Sequence, residues 1–310
     1  MKLMNLKYLI NNYSIIVIGS ILLSACGGGS SSSSTSTSSD STPSSPTVAA
    51  FTSWSVTTAD VPVAMTEGSS SSIDLVGNIT QSDSSGSATF TRDASNNFTL
   101  ISPTASSGNS AVFSAALGDT LQSSFFTKNT TTLNKAQTII GLFANPFTYS
   151  FDYQAFGVWG PYGNATGSSY ALSAGSTSSA SVIPAVGSLN YNGGSTGYYV
   201  DTNQFSYITN ANMIITSTFD NRTLNFTTSS TIIQGAPNGK INDNTSLQLT
   251  GVMTYVIGTN NFTGTVTSTS GMTGKINGKF YGPGLNEIGG TYSLYGAGIG
   301  TMVGSFGGKR

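Results

Sequence analysis

NFTGTVTSTSGMTGKINGKFYGPGLNEIGGTYSLYGAGIGTMVGSFGGKR, residues 261–310, sets glycine beside large rings again and again. Phe262 lies two positions from Gly264, Phe280-Tyr281 precedes Gly282, Gly289-Gly290 precedes Tyr292, and Phe306 precedes Gly307. Glycine inside a strand allows a tight bend, or lets a ring lie against bare backbone. Large and small residues alternating on an inward face suit the tapering interior of a small closed barrel. The segment therefore predicts antiparallel strands curled into a barrel.

Upstream the strand patterns continue. Tyr149-Ser-Phe151-Asp-Tyr153, Leu224-Asn-Phe226 and Leu247-Gln-Leu249 alternate, and Met213–Ile215, Val252–Ile257 and Met302-Val303 are short apolar or β-branched runs. Turn residues separate them: Asn192-Gly193-Gly194, Pro237-Asn238-Gly239, Gly258–Asn261 and Gly282-Pro283-Gly284. Short strands about ten residues apart with Gly and Asn turns indicate an all-β barrel or sandwich. No convincing amphipathic helix stands out; Thr132–Gly141 is the best short candidate. Composition shifts near Phe143–Tyr153, from Ser/Thr-rich to glycine-dense with Phe151, Tyr153, Phe156, Trp159 and Tyr162. A boundary is placed at about residue 148, dividing a β-rich region 48–147 from a barrel 148–310.

The composition excludes whole classes of function. The 310 residues hold 12 acidic and 11 basic side chains, no histidine and one cysteine. Only 7% are charged, against about 25% in an ordinary domain. Without histidine there is no Ser-His-Asp triad, no Cys-His dyad and no histidine pH switch. One cysteine cannot form an internal disulfide or a cysteine metal cage. A net charge of −1 argues against nucleic acid, which is held by many phosphate-neutralising cations. Threonine on exposed strand faces fits the low charge, since it favours a pleated, half-buried surface.

The first residues read as a secretion signal. Lys2 and Lys7 precede the apolar run Ile15–Leu23, which is too short to cross a bilayer that needs about 20 apolar residues. The run ends in Leu23-Ser24-Ala25-Cys26, a sequence that looks like a bacterial lipobox. Residues 1–25 are expected to be a lipoprotein signal peptide, with Cys26 the lipidation site. Acyl chains add about 0.8 kcal/mol per buried methylene, so two or three of them anchor firmly. Gly27, in place of an aspartate, leans the sorting towards the outer membrane. Residues 26–47 form a Gly/Ser-rich tether that cannot bury a core. The 21 residues Gly27–Thr47 would span roughly 25 Å as a flexible coil and about 70 Å fully extended.

The C-terminal residues also carry a family resemblance. Gly278-Lys-Phe-Tyr-Gly-Pro283, Glu287-Ile-Gly-Gly-Thr-Tyr292 and Phe306-Gly-Gly-Lys-Arg310 resemble the closing strands of the β-barrel of transferrin-binding protein B and related surface lipoproteins. Tyr153–Trp159 is similar to that family's first barrel strand, and Phe219–Leu224 to a later strand pair. Leu189-Asn-Tyr191-Asn-Gly193 with Gly197 is similar to its T-A-x-Y-x-G segment, with Ser188-Leu189 in place of Thr-Ala. Phe51-Thr-Ser-Trp54 resembles the start of single-lobe members. The resemblance implies an eight-stranded antiparallel β-barrel preceded by a smaller β-rich, handle-like subdomain. It also implies a bacterial outer-membrane lipoprotein, surface-exposed where a surface lipoprotein assembly modulator exists. Transferrin-binding protein B has two lobes, whereas this chain has length for one, so transferrin binding does not carry over.

The expected function is that of a binding module, with no catalytic residue, cofactor or metal site nominated. The favoured partner is a host protein or an iron or haem carrier, in nutrient acquisition. Direct haem-iron ligation is disfavoured, as histidine is absent. An adhesin or structural surface protein shares nearly every feature. An integral transmembrane barrel predicts lipid-facing alternation and an aromatic last residue, whereas this chain finishes Gly-Gly-Lys-Arg. Trp159, Tyr162, Tyr198 and Tyr199 offer either a recognition surface or filling for the barrel. Glu287 reads as a turn or strand-pairing residue rather than a ligand. Asp119, Asp152, Asp201 and Asp220 are scattered without EF-hand spacing. Asn-X-Ser/Thr triplets such as those at Asn78, Asn97, Asn129, Asn164 and Asn221 follow from composition.

Overall fold

The computed structural model describes residues 53–54, 58–74, 80–122, 125–132, 135–161, 167–235, 239–241 and 244–310. Cys26, the expected signal peptide and tether, Asn78, Tyr162 and Asn164 lie outside them. Within these residues, β-branched, aromatic and hydroxyl side chains produce strands almost throughout.

The first part runs β1 (Val63–Met65), β2 (Glu67–Asp74), β3 (Thr80–Asp83), β4 (Gly86–Arg92), β5 (Phe98–Ala105), β6 (Phe113–Ser114), β7 (Thr120–Gln122), β8 (Phe125–Thr132), β9 (Lys135–Phe143), a one-turn helix (Pro146–Tyr149), β10 (Gln154–Pro161) and β11 (Ser168–Gly175). They build a four-stranded sheet, β1-β4-β5-β6, and a seven-stranded sheet, β3-β2-β11-β10-β9-β8-β7. Trp54, Phe90 and Phe98 are buried between them with Phe113, Phe143 and Trp159. The Trp54 ring meets Phe90 edge-on at 5.3 Å, and its indole N–H donates to the Gln154 carbonyl at 2.9 Å.

The second part runs β12 (Ser188–Asp201), β13 (Ser206–Thr218), β14 (Thr223–Gly235), β15 (Gly239–Ile241), β16 (Leu249–Tyr255), β17 (Phe262–Ser268), β18 (Thr273–Tyr281), β19 (Glu287–Gly296) and β20 (Gly300–Lys309). Every pairing is antiparallel, and β20 pairs back on β12 while β13 pairs with β14. Eight strands therefore close into a barrel, with β15 as a short flap on β14. Its interior is apolar: Phe226, Phe262, Phe280, Tyr292 and Phe306 pack with Met213 and Met253, all at most 1% exposed. The outside of β16 and β17 carries exposed Thr250, Thr254, Thr263, Thr265 and Thr267. A membrane-spanning barrel puts its apolar residues outside and its polar ones within. Here the arrangement is reversed, so the transmembrane alternative is set aside.

Five expectations change. The sheets exchange between Gly175 and Ser188, not near residue 148. Tyr153–Trp159, which resembles a first barrel strand, instead enters β10 of the seven-stranded sheet, paired with β9 and β11. The described residues of Thr132–Gly141 are strand rather than helix: Lys135–Phe143 is β9, where β-branched Ile139 and Ile140 pair across to β8 and β10. Tyr149–Tyr153 is not a strand, because Asn145 caps the Pro146–Tyr149 turn by accepting from Phe147 N. Asn192-Gly193-Gly194 is no turn but the middle of β12. A Cβ on Gly193 would sit 2.0 Å from the Gly307 carbonyl oxygen, so glycine here serves close strand approach.

The two parts meet across an apolar cluster, in which Ile73, Val158 and Ala171 pack with Tyr198, Val200 and Val303, and across hydroxyl groups. Ser71 Oγ donates to Thr291 Oγ1 at 2.8 Å, Ser82 and Ser293 lie 3.1 Å apart, and Ser173 meets Tyr281 OH at 3.1 Å. Gln154 Nε2 adds a bond to the Ile288 carbonyl at 2.8 Å. Buried hydroxyls that bond one another satisfy their polarity without charge.

Candidate binding surface at the barrel end

One end of the barrel gathers the linker between the sheets, the β13–β14 turn, the β16–β17 turn, the β18–β19 turn and the C-terminal end of β20. Two arrangements are built there.

The first is a buried carboxylate. Glu287 opens β19 directly opposite Lys309 in β20 and is fully buried. Its carboxylate accepts the backbone N–H of Asp152 at 2.5 Å and of Tyr153 at 3.2 Å. Lys309 Nζ reaches Asp152 at 2.7 Å and the Ser150 carbonyl at 2.8 Å. Ser150 turns the chain with φ of +58°, in the left-handed region. Burial pushes the Glu287 carboxyl up to about 7, against the pull of the two N–H groups and of Lys309. This residue, read from sequence as a strand-pairing position, does pair in the strand and also seats the entry to β10 on the barrel.

The second arrangement is a cleft of about 240 Å³ between the linker, around Ile183 and Pro184, and the turns at Phe219–Arg222 and Tyr255–Thr259. The walls are fixed by specific bonds. Gly187 N donates to Asp220 at 3.0 Å, and Phe219 N donates to the Gly187 carbonyl at 2.8 Å. Asn260 donates through Nδ2 to the Ser178 and Phe280 carbonyls and accepts from Phe280 N, all at 2.8–2.9 Å. Tyr255 and Phe219 form the buried floor, backed by Phe280 at 6.5 and 6.3 Å between ring centres. Ile257 stands on the rim at 74% exposure, and Asp220 on the same rim is exposed too. Arg222 stands exposed beside it at φ of +57°.

The aromatics expected either to recognise or to fill all fill, where described. Trp159 is buried, stacked at 6.3 Å on Phe143 and 5.2 Å on Tyr170. Tyr198 is buried, and Tyr199 is half-buried with its hydroxyl donating to the Ile299 carbonyl at 2.8 Å. The four aspartates serve structure: Asp119 accepts from Ser114 N, Asp152 pairs with Lys309, Asp201 accepts from Asn203 N and Phe205 N, and Asp220 holds Gly187. Among the described residues no group of His, Cys, Asp or Glu could hold a metal ion. The cleft was not singled out from sequence. Its one signal is that Val252–Ile257 overruns its own alternation: after Met253 and Tyr255 point inward, Val256 and Ile257 remain with no strand to bury them.

Residues 183–310 match the sequence model of a family described as the C-lobe and N-lobe β-barrels of transferrin-binding protein B. A double mutant of transferrin-binding protein B from Haemophilus parasuis is 15% identical, with 78% of this chain and 44% of that one covered at a TM-score of 0.46. For isotype 1 transferrin-binding protein B from Neisseria meningitidis the figures are 13%, 74%, 53% and 0.38. For the N-lobe of lactoferrin-binding protein B from Moraxella bovis they are 13%, 59%, 78% and 0.32. The chain thus spans less than half the length of the H. parasuis protein. No curated protein sequence matches. From the linker onward, the closed eight-stranded barrel and its family match give this chain a transferrin-binding protein B-like fold.

Proposed function

We propose that this chain is a lipid-anchored protein of the bacterial outer membrane, surface-exposed, that acts as a binding module for a host or iron-carrier protein in nutrient acquisition. The observation that carries this reading is the match of the closed barrel to the barrels of a protein family described by transferrin binding. The lipobox at Cys26 supports the anchor, and the 21-residue tether supplies reach from the membrane. The absence of histidine disfavours direct haem-iron ligation, so a role in iron uptake runs through a protein partner. Two experiments test the parts separately. Radiolabelled palmitate should enter the wild-type chain but not Cys26→Ala, and that variant should leave the membrane fraction; equal labelling, or unchanged fractionation, defeats the anchor. Surface-shaved protein should retain transferrin, lactoferrin or a haem-carrier protein from host serum. Retention of none of them defeats the proposed partner class.

A further inference from the structure

Disulfides staple many secreted and cell-surface proteins, and one cysteine cannot supply them here. A covalent staple in this fold has to come from other side chains. Lys279 on β18 and Asn261, just before β17, are placed for one. Phe262 lies opposite Gly278 in the β17–β18 ladder. On the other side, Asn260 Nδ2 donates to the Phe280 carbonyl at 2.8 Å, and Phe280 N donates back to Asn260 Oδ1 at 2.9 Å. Held from both sides, Asn261 faces Lys279, while the Phe262 and Phe280 rings turn into the barrel core. Lys279 Nζ donates to Asn261 Oδ1. The other cross-strand neighbour of Lys279 is Gly289, which has no side chain to draw the amine away.

The surroundings prepare both groups. Lys279 is half-buried, and burial pushes its amine below the usual lysine range, against the pull of the nearby Glu67 carboxylate. A desolvated lysine amine is an activated nucleophile. Thr177, placed by its bridge to Tyr281, donates its hydroxyl to Glu67 and so fixes that carboxylate. The amine already rests against the oxygen of a primary amide, so attack on that group is intramolecular and needs no encounter. Asn261 is exposed, which gives a departing ammonia a way out.

We infer that Lys279 and Asn261 join in an intramolecular isopeptide bond, with Glu67 carrying the proton. The neutral Nζ attacks the Asn261 side-chain carbonyl carbon; the Nζ–Cγ bond forms and the Cγ–Nδ2 bond breaks. Glu67 takes a proton from Nζ and passes it to Nδ2, which leaves as ammonia. No oxidant or further reactant is needed. The product ties β17 to β18 across 18 positions of chain, at the end of the barrel that carries the cleft. A cross-link of this kind acts mainly by restricting the unfolded chain, so opening of the hairpin becomes harder.

Mass spectrometry of tryptic peptides from the full chain tests this. Cleavage after Lys240, Lys275 and Lys309 should give residues 241–275 joined to residues 276–309, lacking the mass of one ammonia and uncut at Lys279. Lys279→Arg and Asn261→Ala should each restore cleavage at position 279 and the full mass. Glu67→Gln should slow the appearance of the branched peptide after synthesis by about a hundredfold. Near-UV circular dichroism identical to wild type shows that the variants fold. Linear peptides of full mass from folded wild type would overturn the proposal. So would an ammonia loss that survives Lys279→Arg, since it would then be an asparagine succinimide. Branched peptide appearing at an unchanged rate in Glu67→Gln would overturn the role given to Glu67.

Discussion

Glu287 shows how one side chain is placed by competing terms. Removing a carboxylate from water favours its protonated form, and two backbone N–H donors only partly oppose that. The group rises from 4.5 to about 7 on folding, so between those values the folded chain holds a proton that the unfolded chain has released. Its contribution to stability is therefore fully present below about pH 4.5, falls as pH rises to 7, and is flat above. The expected loss is on the order of 2 kcal/mol, and urea unfolding of wild type at pH 5 and pH 7.5 should show it. Glu287→Gln should flatten that difference; an undiminished slope would assign the effect to another group. Gly278 tests sterics rather than charge. A Cβ there would lie 2.4 Å from the Phe262 ring and 2.3 Å from the Gly289 carbonyl oxygen. Gly278→Ala should cost about 1–3 kcal/mol in the same assay, as overpacked cores do.

At the scale of elements, the barrel end depends on rings, and the junction on an apolar cluster edged by polar contacts. Phe280 on β18 has the rings of Tyr191, Phe219, Tyr255 and Phe262 within 5.3–6.5 Å. Phe280→Ala should destabilise by about 3–5 kcal/mol and, by emptying the space under Tyr255, weaken any ligand of the cleft. Lys309–Asp152 is a different case. Both side chains are about two-fifths exposed, so solvent screens the pair. Lys309→Ala should change stability by less than about 1 kcal/mol, with the remainder fading in high salt; a larger loss would mean that the Ser150 carbonyl contact matters more than the charge. The elements also show what is legible locally. Period-two alternation and glycine–aromatic spacing mark β14, β17 and β20 correctly, because both patterns are properties of a single strand. The same signals misread Asn192-Gly193-Gly194, where glycine answers the Gly307 backbone, more than a hundred residues away in sequence.

At the scale of the whole molecule, residues 49–310 form one compact unit, although two kinds of sheet compose it. The junction is an apolar layer of Ile73, Val158 and Ala171 against Tyr198, Val200 and Val303, flanked by hydroxyl pairs, the Gln154 bridge and the Glu287 clamp, and separating the parts would expose that apolar surface to water. Apolar surface returned to water costs about 25 cal/mol per Å². Calorimetry should therefore show a single cooperative transition; two well-separated transitions would mean that the barrel is stable without its companion sheets.

The amino-acid sequence by itself determined the class of this protein and its chemistry. Alternation, turn residues and glycine beside rings specify antiparallel strands able to close. The lack of histidine excludes Ser-His-Asp triads and Cys-His dyads, and a single cysteine excludes an internal disulfide or a cysteine metal cage. These are local or compositional properties, fixed before any long-range contact forms. Tertiary structure alone decided where one sheet hands over to the other, that Trp159 and Tyr198 fill cores rather than meet partners, and that Val256 and Ile257 stay in solvent. It also decided that Glu287 is buried on the amides of residues 152 and 153, about 135 positions earlier in the chain. Strand register and barrel closure bring such groups together, and burial then sets their energies, so neither can be read from neighbours along the chain.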